Sequence, residues 1–403
     1  MAMPFTRTIL MLGIAALSSA AARAQFDGKF SLSKAIYPAG EPVFLSFKLT
    51  NTSGQKLMVH SASPLTFCSG YDFKLIGAMD RYAPHCNGGQ GGSCASGAVT
   101  LAPGQSHIDR ILLNQRYDLR KPGHYKLHAA YDATYVSDGK SLASLVTDGL
   151  HQTIKADLEI VLVPAQNLEL REEFAPYVEE LASPDWERRQ EAAKVIAYLA
   201  PTFLEPEIIK MLDSRDLQGY GVEGLRNLGT PSAHQVLAEV VKNSPPSLIE
   251  NSAIGYLGEI GDKSDIATLL NAAHANAEES SNRETALLAV GEAGGDDAVP
   301  VLLAELNDPD IDARQAAIRG LYSTGSRLAV PVLIALLRSP QWRESSTAEY
   351  GLEVLTHRRG VEANTMDPLP QETYGKWSVW WAANGHNATM YTLNDCGEIL
   401  PLP

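Results

Sequence analysis

The spacing of apolar residues changes once along this chain. From residue 26 to about 163, apolar and polar positions alternate in short runs. Val43-Phe-Leu-Ser-Phe-Lys-Leu49 ends at the turn signal Asn51-Thr-Ser-Gly54, and Gly123-His-Tyr-Lys-Leu-His-Ala129 follows a Pro-Gly pair. Ile154-Lys-Ala-Asp-Leu-Glu-Ile-Val-Leu-Val163 closes the region before Pro164. A period of two, broken by Pro, Gly, Asn and Ser, predicts an all-β sandwich. From about Leu168 the period becomes helical and the sequence begins to repeat. Gly229, Gly261, Gly294 and Gly325 end similar segments at spacings of 32, 33 and 31 residues. Ala-Val-Pro-Val-Leu-Leu at 298–303 returns as Ala-Val-Pro-Val-Leu-Ile at 329–334, and Ser183-Pro184-Asp185-Trp186 returns as Ser339-Pro340-Gln341-Trp342. Self-similarity at this period is the signature of a solenoid, in which each unit buries its apolar face on the next.

Each unit reads as two helices. Pro206, Pro300 and Pro331 share one register, where proline suits the first turn of helix A. Asp308-Pro309 and Ser339-Pro340 supply the turn to helix B, whose inward residues are small or apolar, as in Ala313, Ala317 and Leu321. The unit ends at a glycine, as in Leu257-Gly-Glu-Ile-Gly-Asp262. Over residues 174–357 this resembles the short HEAT repeats of the class found in phycobilin lyases and implies about six of them. The alternating half resembles immunoglobulin-like domains of bacterial exported proteins, among them the proteinase-inhibitor-like domain. That likeness rests on Asn51-Thr-Ser53 after a first strand, Tyr71-Asp-Phe73, Pro103-Gly104 and Pro122-Gly-His-Tyr125. Near the end, Tyr374-Gly-Lys-Trp-Ser-Val-Trp-Trp-Ala-Ala-Asn384 resembles the cap of exported bacterial HEAT proteins. Trp377, Trp380 and Trp381 fall on one helical face, placed to cover the apolar end of the last repeat.

The fold class expected is therefore multidomain β plus α. A signal peptide spans 1–24, an immunoglobulin-like β-sandwich 25–165, a HEAT-type α-α superhelical solenoid 166–360, and a Trp-rich C-terminal capping segment 361–403. The leader reading rests on Arg7, the uncharged apolar stretch Ile9 to Leu17, and Ala22-Arg23-Ala24 before Gln25. It predicts a secreted or periplasmic protein with no membrane insertion after cleavage.

Charge narrows the partners. The chain has 33 basic and 47 acidic residues; loss of Arg7 and Arg23 with the leader would leave 31 against 47, a formal charge of −16. Such a surface repels phosphate backbones, so no nucleic acid is expected as partner. The cysteines are Cys68, Cys86, Cys94 and Cys396. Cys86 and Cys94 flank a Gly-rich run that closes a short loop readily and are the disulfide candidate; zinc is the rival, with His85 beside Cys86. Cys396, beyond the last repeat, is expected not to pair with the other three.

Catalytic motifs are scarce. Gly219-Tyr-Gly-Val-Glu-Gly224 fits G-x-G-x-x-G but lies inside a helix B, where the dinucleotide fingerprint needs a preceding strand. Neither G-x-S-x-G nor H-E-x-x-H occurs, and no His-Glu dipeptide of the kind that binds di-iron in deoxyhypusine hydroxylases is present. The expectation is a protein that is not an enzyme and takes no metal or cofactor. What remains is surface: aligning the repeats places Gln190 and Lys194, Glu223 and Arg226, Asn251 and Gly255, Glu284 and Leu288, then Gln315, Arg319 and Tyr322, then Tyr350 and Glu353 in a ladder of outward positions on the B helices. This concave ladder is the candidate binding face, for a protein or peptide partner, in an extracytoplasmic scaffold or adaptor. The alternative is a protease-directed inhibitor acting through the sandwich; an enzyme related to the HEAT-type lyases stands third.

Overall fold

The computed structural model describes residues 25–61, 70–78, 97–243, 247–275, 280–359, 371–393 and 399–402. The leader 1–24 and all four cysteines, with the Cys86–Cys94 pairing and the expected isolation of Cys396, lie outside the described residues.

The β half contains β1 (Phe26–Leu32), β2 (Ile36–Pro38), β3 (Phe44–Asn51), β4 (Leu57–Ser61), β5 (Tyr71–Ile76), β6 (Gly97–Leu101), β7 (Ser106–Leu112), β8 (Gly123–Ser137), the short helix α1 (Leu142–Thr147) and β9 (Leu150–Val163). One sheet has the order β1-β3-β7; the other has β2-β9-β8-β4-β6, with β5 also on β8. All pairings are antiparallel except β2 with β9. The two sheets share one core. Phe30, Leu45 and Phe47 from the first meet Leu57, Phe73, Leu127 and Tyr131 from the second. Phe47 sits at its centre, 4.4 Å from the Phe30 ring and 4.8 Å from that of Tyr131.

Strand alternation runs further than the sequence pattern suggested. β8 continues past Ala129 to Ser137 because Tyr131, Ala133 and Tyr135 keep facing the core. The Asn51 turn has a specific cause. The buried Asn51 amide donates to the carbonyls of Gln55 (2.8 Å) and Leu101 (2.9 Å), and its oxygen accepts from the Ser53 N–H at 2.9 Å. One side chain thus closes the turn and ties it to β6.

The solenoid follows as six helix pairs: α2 (Asn167–Glu180) with α3 (Trp186–Leu199), α4 (Glu205–Met211) with α5 (Gln218–Leu228), α6 (Pro231–Asn243) with α7 (Leu248–Ile260), α8 (Ile266–Ala275) with α9 (Ser280–Gly294), α10 (Ala298–Glu305) with α11 (Ile311–Ser323), and α12 (Ala329–Leu336) with α13 (Trp342–Thr356). Pro206, Pro300 and Pro331 each lie in the first turn of a helix A. Asp185, Ser247 and Asp310 cap B helices by accepting backbone N–H groups at 2.9–3.2 Å. Gly229, Gly261 and Gly325 end B helices in the left-handed conformation, while in the fourth repeat Gly294 stays helical and Gly295 makes that turn. The two terminal repeats use other residues there, Ala200 (φ 40°) and His357 (φ 49°).

The B helices approach one another through glycine. A methyl group on Gly320 would stand 2.5 Å from the Leu287 carbonyl oxygen, and one on Gly258 would stand 2.8 Å from Ala289 Cα. Gly291 lies against the Gly320 carbonyl, and Gly351 would place a methyl 2.7 Å from the Tyr322 ring. These glycines let the backbones of neighbouring B helices come into direct contact.

Both ends of the array are covered. Phe44 and Leu112 of the sandwich belong to the core of the first repeat. At the far end, α14 (Gln371–Asn384) buries Trp377, with Trp380 and Trp381 partly buried beside it. Arg358 lies 5.0 Å over the Trp380 ring. Arg327 donates to the carbonyls of Gly385 and Ala388 just after α14. The hairpin of β10 (Tyr391–Leu393) and β11 (Ile399–Pro401) then turns back onto α11 and α13, and Leu402 packs on Gly325. Among the described residues, no helix is long and apolar enough to cross a membrane.

Candidate functional site

Residues at equal register in consecutive repeats stand side by side on adjacent B helices, so a polar side chain on one helix can reach its counterpart on the next. The outward ladder is built in this way. Arg226 on α5 pairs with Glu259 on α7 at 2.8 Å and lies 4.7 Å over the Tyr256 ring. The Tyr256 hydroxyl donates back to Glu223 at 2.6 Å. Burial and the Glu223 charge hold that phenol well above its ordinary pKa, so it stays a donor. Between α7 and α9, Asn251 donates to Asn282 (2.9 Å) and Thr285 (3.0 Å). Between α9 and α11, Arg319 pairs with Glu284. Between α11 and α13, Gln315 donates to the Arg343 carbonyl at 3.2 Å, and Arg343 pairs with Asp312 at 2.7 Å.

These links join residues 28 to 35 apart in sequence. The outward ladder positions on the B face are thus cross-braced from one repeat to the next. Two recesses open on it. One of about 240 Å³ is lined by Arg283, Glu284, Asp312, Gln315, Arg319 and Arg343. The other, about 420 Å³, lies between Glu259, Leu288, Glu292 and Tyr322 on the helices and Thr392 and Leu393 on β10.

One ladder position differs from expectation. Tyr322 does not point away from the repeat core. It is 8% exposed, because the absent side chain of Gly351 leaves room for its ring, which meets Tyr350 edge-on at 5.7 Å. Burial pushes its phenol up to about 12. Lys194 and Gln190 line a separate recess beside the sandwich, with Phe44 and Arg110. Tyr350 is exposed and Glu353 half-buried on α13.

Sequence reasoning passed over Tyr256, Glu259, Glu292, Asp312 and Arg343. A signal for most of them was present as opposite charges or donor–acceptor pairs recurring one repeat apart. The Gly219–Gly224 motif is structural: methyl groups on Gly221 and Gly224 would stand 2.9 Å from Leu212 and 2.8 Å from Ile208. Among the described residues, no three His, Cys, Asp or Glu side chains stand close enough to hold a metal ion.

Comparison with known proteins bears on the helical half. Residues 266–353, which hold the last three helix pairs, match the HEAT-repeat family. No curated protein matches the chain. Among solved structures, an engineered protein is similar at 21% identity over 45% of this chain and 57% of its own, with a TM-score of 0.29. A second engineered protein matches at 21% identity over 45% of this chain and 95% of its own, with a TM-score of 0.28. A Salmonella alpha-2-macroglobulin mutant matches at 12% identity over 94% of this chain and 28% of its own, with a TM-score of 0.20. The chain thus spans little more than half of the first of these proteins, and at such TM-scores none of the three bears on its architecture or activity.

Proposed function

We propose that this protein is a non-catalytic scaffold that holds a protein or peptide partner against the B-helix face of its solenoid, outside the cytoplasm. HEAT repeats make a repeat scaffold suited to protein interaction, and the observation that carries the reading is the cross-braced ladder. Its side chains are already ordered by neighbours in the next repeat, so less rotamer freedom is lost when a partner docks. The face offers mixed charge, exposed aromatic surface at Tyr350 and two recesses, a combination typical of protein interfaces.

The test places a photo-crosslinking residue at Arg319 on the B face or at Glu239, exposed on the A helix α6, in cells that make the full chain. Adducts at Arg319 and none at Glu239 are expected. Adducts at Glu239 alone, or equally at both, overturn the reading, and adducts confined to probes on the sandwich would favour the protease-directed alternative. Arg319→Glu with Tyr350→Ala should weaken capture of the crosslinked partner about tenfold or more, with unchanged helical content. Tyr350 replaces Tyr322 in this test because Tyr322 is part of the packing. Deleting residues 26–163 is a poor test, since it strips Phe44 and Leu112 from the first repeat. Mature chain beginning at Gln25 and recovered outside the cytoplasm supports the location; only chain beginning at Met1 removes it.

A further inference from the structure

The seam between sandwich and solenoid carries chemistry that the scaffold reading does not use. Strands β3 and β7 and helices α3 and α5 line an open recess of about 210 Å³. Its apolar walls are Phe44, Leu112, Val195 and Tyr220; its polar groups are Gln190, Glu191, Arg110 and Lys194. Arg110 is fully engaged: its guanidinium pairs with Glu191 and lies 3.6 Å over the Phe44 ring. It also donates to the Tyr177 oxygen.

Lys194 is different. It is half-buried on α3, and the Glu191 carboxylate acts on it from one turn away. That carboxylate is already committed to Arg110. The recess therefore holds two cations and one carboxylate, a local positive excess in a chain of net charge −14. Burial holds the Lys194 ammonium below the usual lysine pKa, and the Glu191 charge offsets this only in part.

We propose that this recess binds an apolar carboxylate, with the carboxylate on the Lys194 ammonium and a ring or branched chain against Phe44, Leu112, Val195 and Tyr220. Apolar walls with one placed charge are the usual make-up of small-ligand sites, which favour the boundary between domains. A ligand here touches both halves and bridges them. The acid could be a free molecule or the C-terminal residue of a peptide; both present the same group.

The experiment measures trace acetylation of each lysine in the full mature protein by mass spectrometry, with exposed Lys242 as internal reference. Four probes are compared: phenylacetate, phenylacetamide, a tetrapeptide ending in a free Phe carboxylate, and the same peptide amidated. Protection of Lys194, with Lys242 unchanged, by either acid and by neither amide is expected. Protection by the peptide acid alone identifies a chain terminus as the source, and protection by phenylacetate a free acid. Equal protection by acid and amide, or protection by none of the four, overturns the proposal. A second measurement does not depend on lysine chemistry. Calorimetric affinity for the protecting acid should fall about tenfold or more in Lys194→Met, the loss expected for one charge-assisted hydrogen bond. Unchanged affinity in a folded Lys194→Met protein also overturns it.

Discussion

The two halves of this molecule reach stability by opposite routes. The sandwich gathers strands from distant parts of its sequence: β2 pairs with β9, joining Ile36 to Val161, and Phe30, Phe47, Tyr71 and Tyr131 interlock at its centre. Apart from Phe30 with Phe47 on the adjacent strands β1 and β3, these contacts join positions far apart in the sequence of the domain. The solenoid core is built mainly from Ala, Leu, Val and Ile, and each helix meets its pair partner and its counterpart one repeat away. Its cross-braces span one repeat. The contrast teaches that damage should spread through the whole sandwich but stay local in the solenoid.

The largest expected effect tests the sandwich. Phe47→Ala removes the ring at the centre of the aromatic cluster and should cost about 3–5 kcal/mol. Hydrogen exchange should show protection falling together in β1 through β9, while α6 to α13 keep theirs; a loss limited to β3 would break the comparison. Gly320→Ala tests the solenoid. Its new methyl group meets the Leu287 carbonyl, and overpacking of this kind costs about 1–3 kcal/mol. Faster exchange should be confined to α9, α11 and α13, and the same loss in α3 and α5 would show that the array unfolds as one unit. The smallest effect is a gain. Ala200 caps α3 in a left-handed conformation, where Gly229, Gly261 and Gly325 stand in later repeats. Ala200→Gly should stabilise by about 1 kcal/mol, read as a raised denaturant midpoint for the first repeat. A fall would mean that the Ala200 methyl, buried in the core, matters more than its backbone strain.

Much of this was written in the sequence, but unevenly. The helix pairs were legible because the repeat carries its own register: a proline opens helix A and a glycine ends helix B. The tryptophan cap was legible because Trp377, Trp380 and Trp381 recur on one face. The sandwich was legible as alternation, yet its pairing was not, since nothing near Ile36 specifies Val161. The ladder was legible only by half. Helical period says which residues leave their own core, but it is blind to the next repeat. So Tyr322 was read as outward although Gly351, 29 residues on, makes room to bury it. Opposite charges 31 to 35 residues apart would have revealed the bracing, which a reading within single helices misses.

Arg327, bound to the two carbonyls that follow α14, has a consequence for how the array can change over generations. It ties the fifth-to-sixth-repeat junction to the tail, just as Phe44 and Leu112 tie the sandwich to the first unit. Each terminal unit is therefore fitted to a neighbour of a different kind. A duplicated or lost unit is accommodated only where both flanks are ordinary repeats, between the second and fifth pairs. Lineages that lengthen or shorten this protein should do so there, leaving both seams with their residues intact.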